Sequence, residues 1–153
     1  MAYWLSSTGP ERFELDMGND FALDGYQEED LERAIRMEAG DRIVYYIRGW
    51  EAFGVICVAR SRVFVEWRPI WPDKVRPLRF ERRAELVLPR EKALPVGVVL
   101  SHLSFVPGKL KQGHAWGHLF REGLREIPKV DFELIERAMR HLAKGERAGE
   151  KDG

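Results

Sequence analysis

Three stretches between Asp41 and Arg68, "DRIVYYIRG", "FGVICVARS" and "RVFVEWR", follow one another with almost no chain between them. Each is rich in β-branched and aromatic residues and is bounded by glycine or by charge, the pattern of consecutive antiparallel strands. "ERRAELVLP" reads as a further strand. A chain of 153 residues has room for one core of useful size and is short for two. Antiparallel strands in one small domain commonly curl into a barrel, which removes their exposed edges. The expected fold is therefore α+β, a small antiparallel β-barrel flanked by short helices, with residues 1–143 as a single domain.

The flanks supply the helices. "AYWLSS" reads as an opening strand that puts Tyr3 and Leu5 on one face and Trp4 and Ser6 on the other. "STGPERF" turns the chain through Gly9 and Pro10. Glu28 to Met37 has early acids, an apolar side and Gly40 just beyond, which predicts a short helix. Three prolines make "RPIWPDKVRPL" an irregular loop that carries Trp71. A last helix starts near Asp131 as N-cap and buries Phe132, Ile135, Met139 and Leu142. Residues 144–153 hold too little apolar surface to fold and are expected as a frayed tail. Between the sheet and that helix, Ala115 to Ile127, "AWGHLFREGLREI", reads as an amphipathic helix. Trp116, Leu119, Phe120, Leu124 and Ile127 share one side, and His114, His118, Arg121 and Arg125 the other. Gly117 and Gly123 weaken a helix, so a closely approaching backbone or ligand is expected there.

Charge and motifs exclude several classes of function. Lys plus Arg and Asp plus Glu are 25 each, so no global field draws the protein to nucleic acid or to an anionic membrane. Nucleic-acid binding would need a local patch. The opening residues lack the basic start and apolar run of a signal peptide, and no stretch approaches the roughly 20 apolar residues of a membrane span. The expectation is a soluble, cytoplasmic protein. Cys57 alone builds neither an intrachain disulfide nor a zinc cluster, and "GVICVA" places it in an apolar strand. His114 and His118 have the spacing of a metal pair, but no glutamate or third ligand accompanies them, so no metal is expected. His102 lies near Ser101 and Ser104 without a nucleophile elbow or oxyanion-hole glycines. No glycine-rich phosphate loop is present. No cofactor and no catalytic residue are expected.

Trp4, Trp50, Trp67, Trp71 and Trp116, with Tyr26, Tyr45 and Tyr46, are many large rings for one small domain. Most belong in a core. Trp71 in its proline-rich loop and Tyr26 in a glycine-containing turn are under less demand from packing. Rings beside a barrel mouth can stack on a flat base, and nearby arginines can hold phosphates.

Several of these stretches together resemble the EVE domain family, a branch of the PUA-like superfamily related to the YTH readers of methylated adenine. "AYWLSSTGPERF" resembles the family's first strand and polar turn; "DGYQ" and "MEAGDRIVYYI" resemble its turn, helix and following strand. "PIWPDKVRPLRF" is similar to its "WPD" loop, and "WGHLFREGLREIPKVDFELI" to its closing segment. The resemblance implies a PUA-like pseudo-barrel without catalysis, binding an unpaired base of RNA or DNA, with methylated bases among its ligands. Carried over by position, it nominates Ser6, Ser7 and Thr8, then Asp24, Gly25 and Tyr26, then Trp71, and finally Trp116, His118 and Arg121. The chain has Ser6, Ser7, Thr8, Gly9 and Pro10 where many members have Lys-Ser-Glu-Pro, and Asp24 where they often have Trp. Asp24 in place of that ring would accept a hydrogen bond from an exocyclic amine. The implied mode is stacking on Tyr26 or Trp71, edge reading by Ser6 and Asp24, and phosphate contact by Arg121. A small-molecule or enzymatic domain that takes a free nucleoside or heterocycle in the same pocket, and a protein-interaction module, stay open at this level.

Overall fold

The computed structural model describes residues 1–107, 120 and 123–152. In chain order these form β1 (Tyr3–Thr8), α1 (Pro10–Gly18), β2 (Leu23–Tyr26), α2 (Leu31–Ala34), β3 (Arg42–Ile47), β4 (Ala52–Ala59) and β5 (Phe64–Val65). Then come β6 (Leu78–Val87), β7 (Leu94–Pro95), α3 (Val96–Val99), β8 (Leu124–Ile127) and α4 (Lys129–Asp152). The class is α+β, as the sequence indicates. No helix among the described residues is long and apolar enough to cross a membrane.

The strands make one curled mixed sheet, a half-barrel in the order β2-β6-β4-β3-β1-β8, with β5 added to β6 and β7 to β4. Ten-residue β6 turns the corner: Leu78 to Glu81 pair with β2, and Arg82 to Val87 with β4. Register shifts at Tyr45/Tyr46 and Ile56/Cys57 help the sheet to bend, since an extra residue on one strand sharpens the local twist. One pair corrects the all-antiparallel expectation. β1 lies parallel to β3, with Tyr3 opposite Arg42 and Thr8 opposite Ile47. A parallel pair needs a long crossover, and α1, β2 and α2 between the two strands supply it.

Alternation along β1 divides the core. Leu5 joins the cluster under α3 and α4, which includes Val44, Phe53, Ile56, Leu103, Phe120, Phe132, Ile135 and Met139. Trp4 joins the opposite cluster inside the curl, with Phe13, Tyr26, Met37, Ile43, Cys57 and Phe80. Its indole Nε1 donates to Asp41 Oδ2 at 3.0 Å. Tyr3 packs on Phe132 with ring centroids 5.1 Å apart. Arg42 clamps α4 from the same side, with Nη2 2.6 Å from Glu136 and its guanidinium 4.9 Å over the Phe132 ring.

Several local expectations change. Pro10 opens a helix rather than only a turn: Gly9 is the N-cap and Pro10 takes a first-turn position whose N–H would have no helical acceptor. The helix expected over Glu28 to Met37 is a 3-10 turn, Glu28–Asp30, running into the single turn of α2. "RVFVEWR" forms only two residues of strand, β5. α4 begins at Lys129, so Asp131 lies within its first turn. Its carboxylate accepts hydrogen bonds from the Ser104 backbone N–H and hydroxyl. Phe132, Ile135 and Met139 are buried as expected, whereas Leu142 is exposed. The tail expected to fray from residue 144 is helical as far as Asp152, its Glu, Lys and Arg being good helix formers.

The segment 115–127 departs most. Leu124–Ile127 is a strand, not a helix turn, and closes the sheet by pairing antiparallel with β1, Tyr3 opposite Ile127 and Ser6 opposite Leu124. Phe120, Leu124 and Ile127 are buried, the core role their side of the segment called for. Arg125 places its guanidinium 4.9 Å over the Phe105 ring.

Candidate nucleic-acid interface

β1 ends in the polar run Ser6, Ser7, Thr8, and the chain passes straight into the N-terminus of α1. Beside this junction runs β2, whose Asp24, Gly25 and Tyr26 pair with Phe80, Arg79 and Leu78 of β6. The loop before β6 folds Trp71 back over Gly25. A Cβ built on Gly25 would stand 2.5 and 2.6 Å from two carbons of the indole, so only glycine admits the ring at that distance. Of the seven described residues that the resemblance nominated, Ser6, Asp24, Gly25, Tyr26 and Trp71 are in contact with one another, Ser7 is held by Arg48, and Thr8 follows at the end of β1. Trp116, His118 and Arg121 lie outside the described residues, as do Gly117 and His114.

Most of the seven are not on the surface. Ser6, Ser7, Thr8, Asp24 and Tyr26 are buried, Tyr26 to 1% exposure. Ser6 Oγ is 2.7 Å from the Tyr26 hydroxyl and also donates to the Gly123 carbonyl at 2.8 Å. Gly123 itself needs to be small, since a Cβ there would meet Asp30 Oδ2 at 3.0 Å and Tyr26 Cδ1 at 3.4 Å. This is the close approach its presence in a would-be helix signalled. The Tyr26 ring stacks on Phe80 at 6.1 Å and 8°. These contacts correct the sequence-based assignment of Tyr26 as a stacking platform and of Ser6 and Asp24 as edge readers. Their hydrogen-bonding groups face one another inside the half-barrel.

Asp24 is the centre of this network. Its Oδ2 accepts from the hydroxyls of Tyr45 at 2.7 Å and Tyr26 at 3.0 Å, and its Oδ1 from Gly25 N–H at 2.7 Å. Arg12 donates to Oδ1 and, at 3.0 Å, to the Gly25 carbonyl. Arg82, itself buried, lies 3.3 Å from Asp24 and 3.0 Å from Asp16. Burial opposes ionisation of Asp24, but the guanidiniums of Arg82 and Arg12 and the Tyr45 and Gly25 donors outweigh it and hold the carboxyl at about 2. For Asp16 the balance is reversed. Burial dominates the opposing pull of Arg82, and the group is pushed above the usual carboxylate range. Burial and the Asp24 charge raise the Tyr26 hydroxyl well above its ordinary value, and burial does the same for Tyr45. Both phenols stay protonated donors.

Above the network opens a cleft of about 860 Å³, lined by the start of α1, by Arg12, Arg48 and Arg76, and by Trp71, Pro72 and Asp73. The volume is in the range of about 300–1,000 Å³ that holds compact ligands. Trp71 is fixed rather than loose: it is 3% exposed, its Nε1 donates to Asp16 at 3.1 Å, and Arg12 and Arg79 lie 5.0 and 5.4 Å from its ring centroid. Arg76 is tied to Asp73 at 2.8 Å. Arg48 donates to Ser7 Oγ at 2.9 Å, and among the described residues no carboxylate pairs with it. Partial burial and the like charges of Arg76 and Arg12 push its guanidinium below its usual value. Arg48 is exposed at the rim with Asp73 as its more distant counter-charge, and beside Arg12 and Arg76 it offers hydrogen-bond donors to an anion that enters the cleft.

The three cleft arginines were not legible as a site in the sequence. They come from α1, from the end of β3 and from the Trp71 loop, and no local motif links them. Elsewhere, Cys57 is fully buried on β4, as its apolar setting indicated, with its thiol pushed up to about 12 chiefly by burial. Among the described residues no group of His, Cys, Asp and Glu is arranged to hold a metal ion.

No family model matches the chain. A UPF0310 protein of Pyrococcus abyssi is 24% identical over 145 residues, an alignment that spans 89% of this chain and 98% of that protein. Among solved structures, a hypothetical protein from Leishmania major has a TM-score of 0.62 at 14% identity, covering 92% of this chain and 96% of its own. The YTH domain of a Zygosaccharomyces rouxii protein, solved in complex with N6-methyladenosine RNA, has a TM-score of 0.60 at 10% identity, covering 91% of this chain and 88% of its own. At these identities the likeness is one of fold alone, shared with that YTH domain.

Proposed function

We propose that this protein is an EVE-like, non-catalytic nucleic-acid-binding module that takes one unpaired base into the cleft between α1 and the Trp71 loop. The observation that carries the reading is the composition of that cleft. A fixed indole stands beside Arg12, Arg48 and Arg76, with Glu11, Glu14 and Asp73 also on the cleft wall, and Arg48 forms no ion pair within 4 Å among the described residues. The base packs against Pro72 and the margin of Trp71 that reaches the cleft, and Arg48 and Arg76 receive the phosphates on either side of it. A methylated base is the preferred ligand in this reading, because a methyl group adds apolar surface to a ring that packs on indole. The similarity in fold to a YTH domain solved with N6-methyladenosine RNA supports the same direction. Ser6, Asp24 and Tyr26 act beneath the cleft by holding Arg12 and the Gly25 backbone in place.

Fluorescence anisotropy with nine-nucleotide single strands of RNA and of DNA tests this, each with and without a central N6-methyladenine or 5-methylcytosine. The expected result is tighter binding of a methylated strand, weakened about 5- to 150-fold in Trp71→Ala, since base–aromatic contact contributes about 1–3 kcal/mol. Affinities for every strand that ignore Trp71→Ala, Arg48→Ala and salt alike would remove the proposal.

A further inference from the structure

A second cleft, of about 470 Å³, opens where β5 and β2 flank β6, and is lined by Ala22, Leu23, Arg60, Phe64, Glu66, Arg68, Arg79, Glu81 and Arg82. Arg82 is neutralised by Asp16 and Asp24. That leaves Arg60, Arg68 and Arg79 against Glu66 and Glu81. Glu66 is engaged in part by accepting from the Arg68 backbone N–H at 3.0 Å. Among the described residues none of the three arginines forms an ion pair within 4 Å, and Glu66 acts on Arg79 only from a greater distance. Arg79 is the unusual one. It is wholly buried, its Nε donates to the Arg76 carbonyl at 2.9 Å and one terminal nitrogen to the Arg68 carbonyl, while the other terminal nitrogen, also buried, has no acceptor. A buried guanidinium with one nitrogen lacking an acceptor and only Glu66 acting on it from a distance is costly, and such a charge favours an anion close by.

Arg79 also stands between the two clefts. It lines the second, and its guanidinium lies 5.4 Å from the ring centroid of Trp71, which lines the first. Beside it β5 and the residues just after it leave large apolar side chains in water: Phe64 is 39% and Trp67 58% exposed. Exposed rings flanked by arginines, Phe64 and Trp67 between Arg60 and Arg68, are the composition of a surface that stacks bases and follows a phosphate backbone.

We infer that the β5 edge is a second nucleic-acid subsite, which binds the phosphodiester backbone and a flanking base of the single strand whose target base enters the Trp71 cleft. The inference rests on the proposed function and deepens it. Arg60 and Arg68 contact phosphates, Phe64 stacks the neighbouring base, and Arg79 supplies a fixed positive charge between the two subsites.

The test compares a nine-nucleotide RNA with the mononucleotide of its central base, using the base bound most tightly in the titration above. Arg60→Ala/Arg68→Ala and Phe64→Ala change exposed side chains, and unaltered melting temperatures establish that they fold. For the nine-mer the double variant is expected to bind about tenfold more weakly and to lower the slope of log affinity against log salt by about 1.4, at roughly 0.7 per lost phosphate contact on a single strand. Mononucleotide binding is expected to stay as in the wild type. If the double variant keeps the nine-mer's affinity and salt slope while Trp71→Ala weakens it, the second subsite is refuted and the base cleft stands. If the arginine variant weakens binding but Trp71→Ala does not, the pairing of subsites and the base cleft are both refuted. No binding by either probe overturns both readings.

Discussion

Asp24→Asn removes one charge from the buried network at almost constant shape. In the wild type Arg12 and Arg82 face Asp16 and Asp24, two cations against two anions, so the cluster is neutral as a whole. The variant leaves Arg82, which is almost entirely buried, with Asp16 as its sole carboxylate and can turn an amide N–H₂ toward a guanidinium. Breaking a buried pair from one side costs about 3–5 kcal/mol, a large part of the roughly 5–15 kcal/mol that holds a domain folded. The pH dependence gives an independent measure. Asp24 titrates at about 2 in the fold against 3.8 when free, and at 1.36 kcal/mol per unit this linkage is on the order of 2 kcal/mol. Because the folded value is depressed, the stabilisation is fully present above pH 3.8 and is lost as pH falls through about 2. Asp16, whose value is raised, works in the opposite sense: its contribution favours the fold at low pH and is lost as pH rises through its folded value. Urea unfolding followed by circular dichroism, at steps from about pH 7 to about pH 2, should therefore show a wild-type advantage of about 3–5 kcal/mol near neutrality that narrows on acidification. An advantage below about 1 kcal/mol at neutral pH, or one that stays constant into acid, would refute the account of Asp24 as an ionised partner of two arginines.

Other substitutions probe separate links. Gly25→Ala puts a methyl group into the Trp71 ring, and overpacking of this kind costs about 1–3 kcal/mol; the Trp71 indole N–H resonance should move in ¹H–¹⁵N spectra and oligonucleotide affinity should fall with it. Arg48→Ala should leave the melting temperature near that of the wild type but lower the salt slope of single-strand binding by about 0.7, read from titrations at several ionic strengths. Trp4→Phe deprives the buried Asp41 carboxylate of its indole donor and should cost about 1–3 kcal/mol in chemical denaturation, with strand affinity unchanged. Cys57, buried and with its thiol at about 12, should react with a thiol reagent only at the rate of unfolding, and fast labelling in native buffer would contradict its place in the core.

The parts of the fold that the sequence carries plainly are those whose information is local. β3 and β4 declare themselves by β-branched density, and the alternation of Tyr3, Trp4, Leu5 and Ser6 assigns each to its face of β1. The failures share a cause as well. Leu124 and Ile127 sit three residues apart, a spacing that suits a helix, but their segment finds an open edge on β1, almost the whole chain away, and β pairing there overrides the local pattern. α1 is a different case. Gly9 followed by Pro10 and Glu11 is a helix-start signal, equally readable as a turn, and the turn reading overlooked it. Its consequence reaches the site, because the missed helix carries Arg12.

For the site, resemblance nominates residues around one corner of the molecule but says nothing of their depth within it. Position along the chain says which residues gather around a β1–α1 junction; whether a serine or an aspartate there faces solvent depends on what packs over it. Here Trp71 and Arg12 cover the corner, and the polar groups of Ser6, Asp24 and Tyr26 are engaged with one another before any ligand arrives. A buried network of charge-assisted hydrogen bonds is rigid because most alternatives leave further polar groups unpaired, so its contribution to recognition is to fix where the indole and the guanidiniums stand. Variants of Ser6, Asp24 or Tyr26 should therefore change stability first, and change binding only in proportion to the displacement of Trp71. Variants of Arg48 should change binding with little effect on stability. That separation distinguishes a base held in the cleft above the network from one inserted into the network itself.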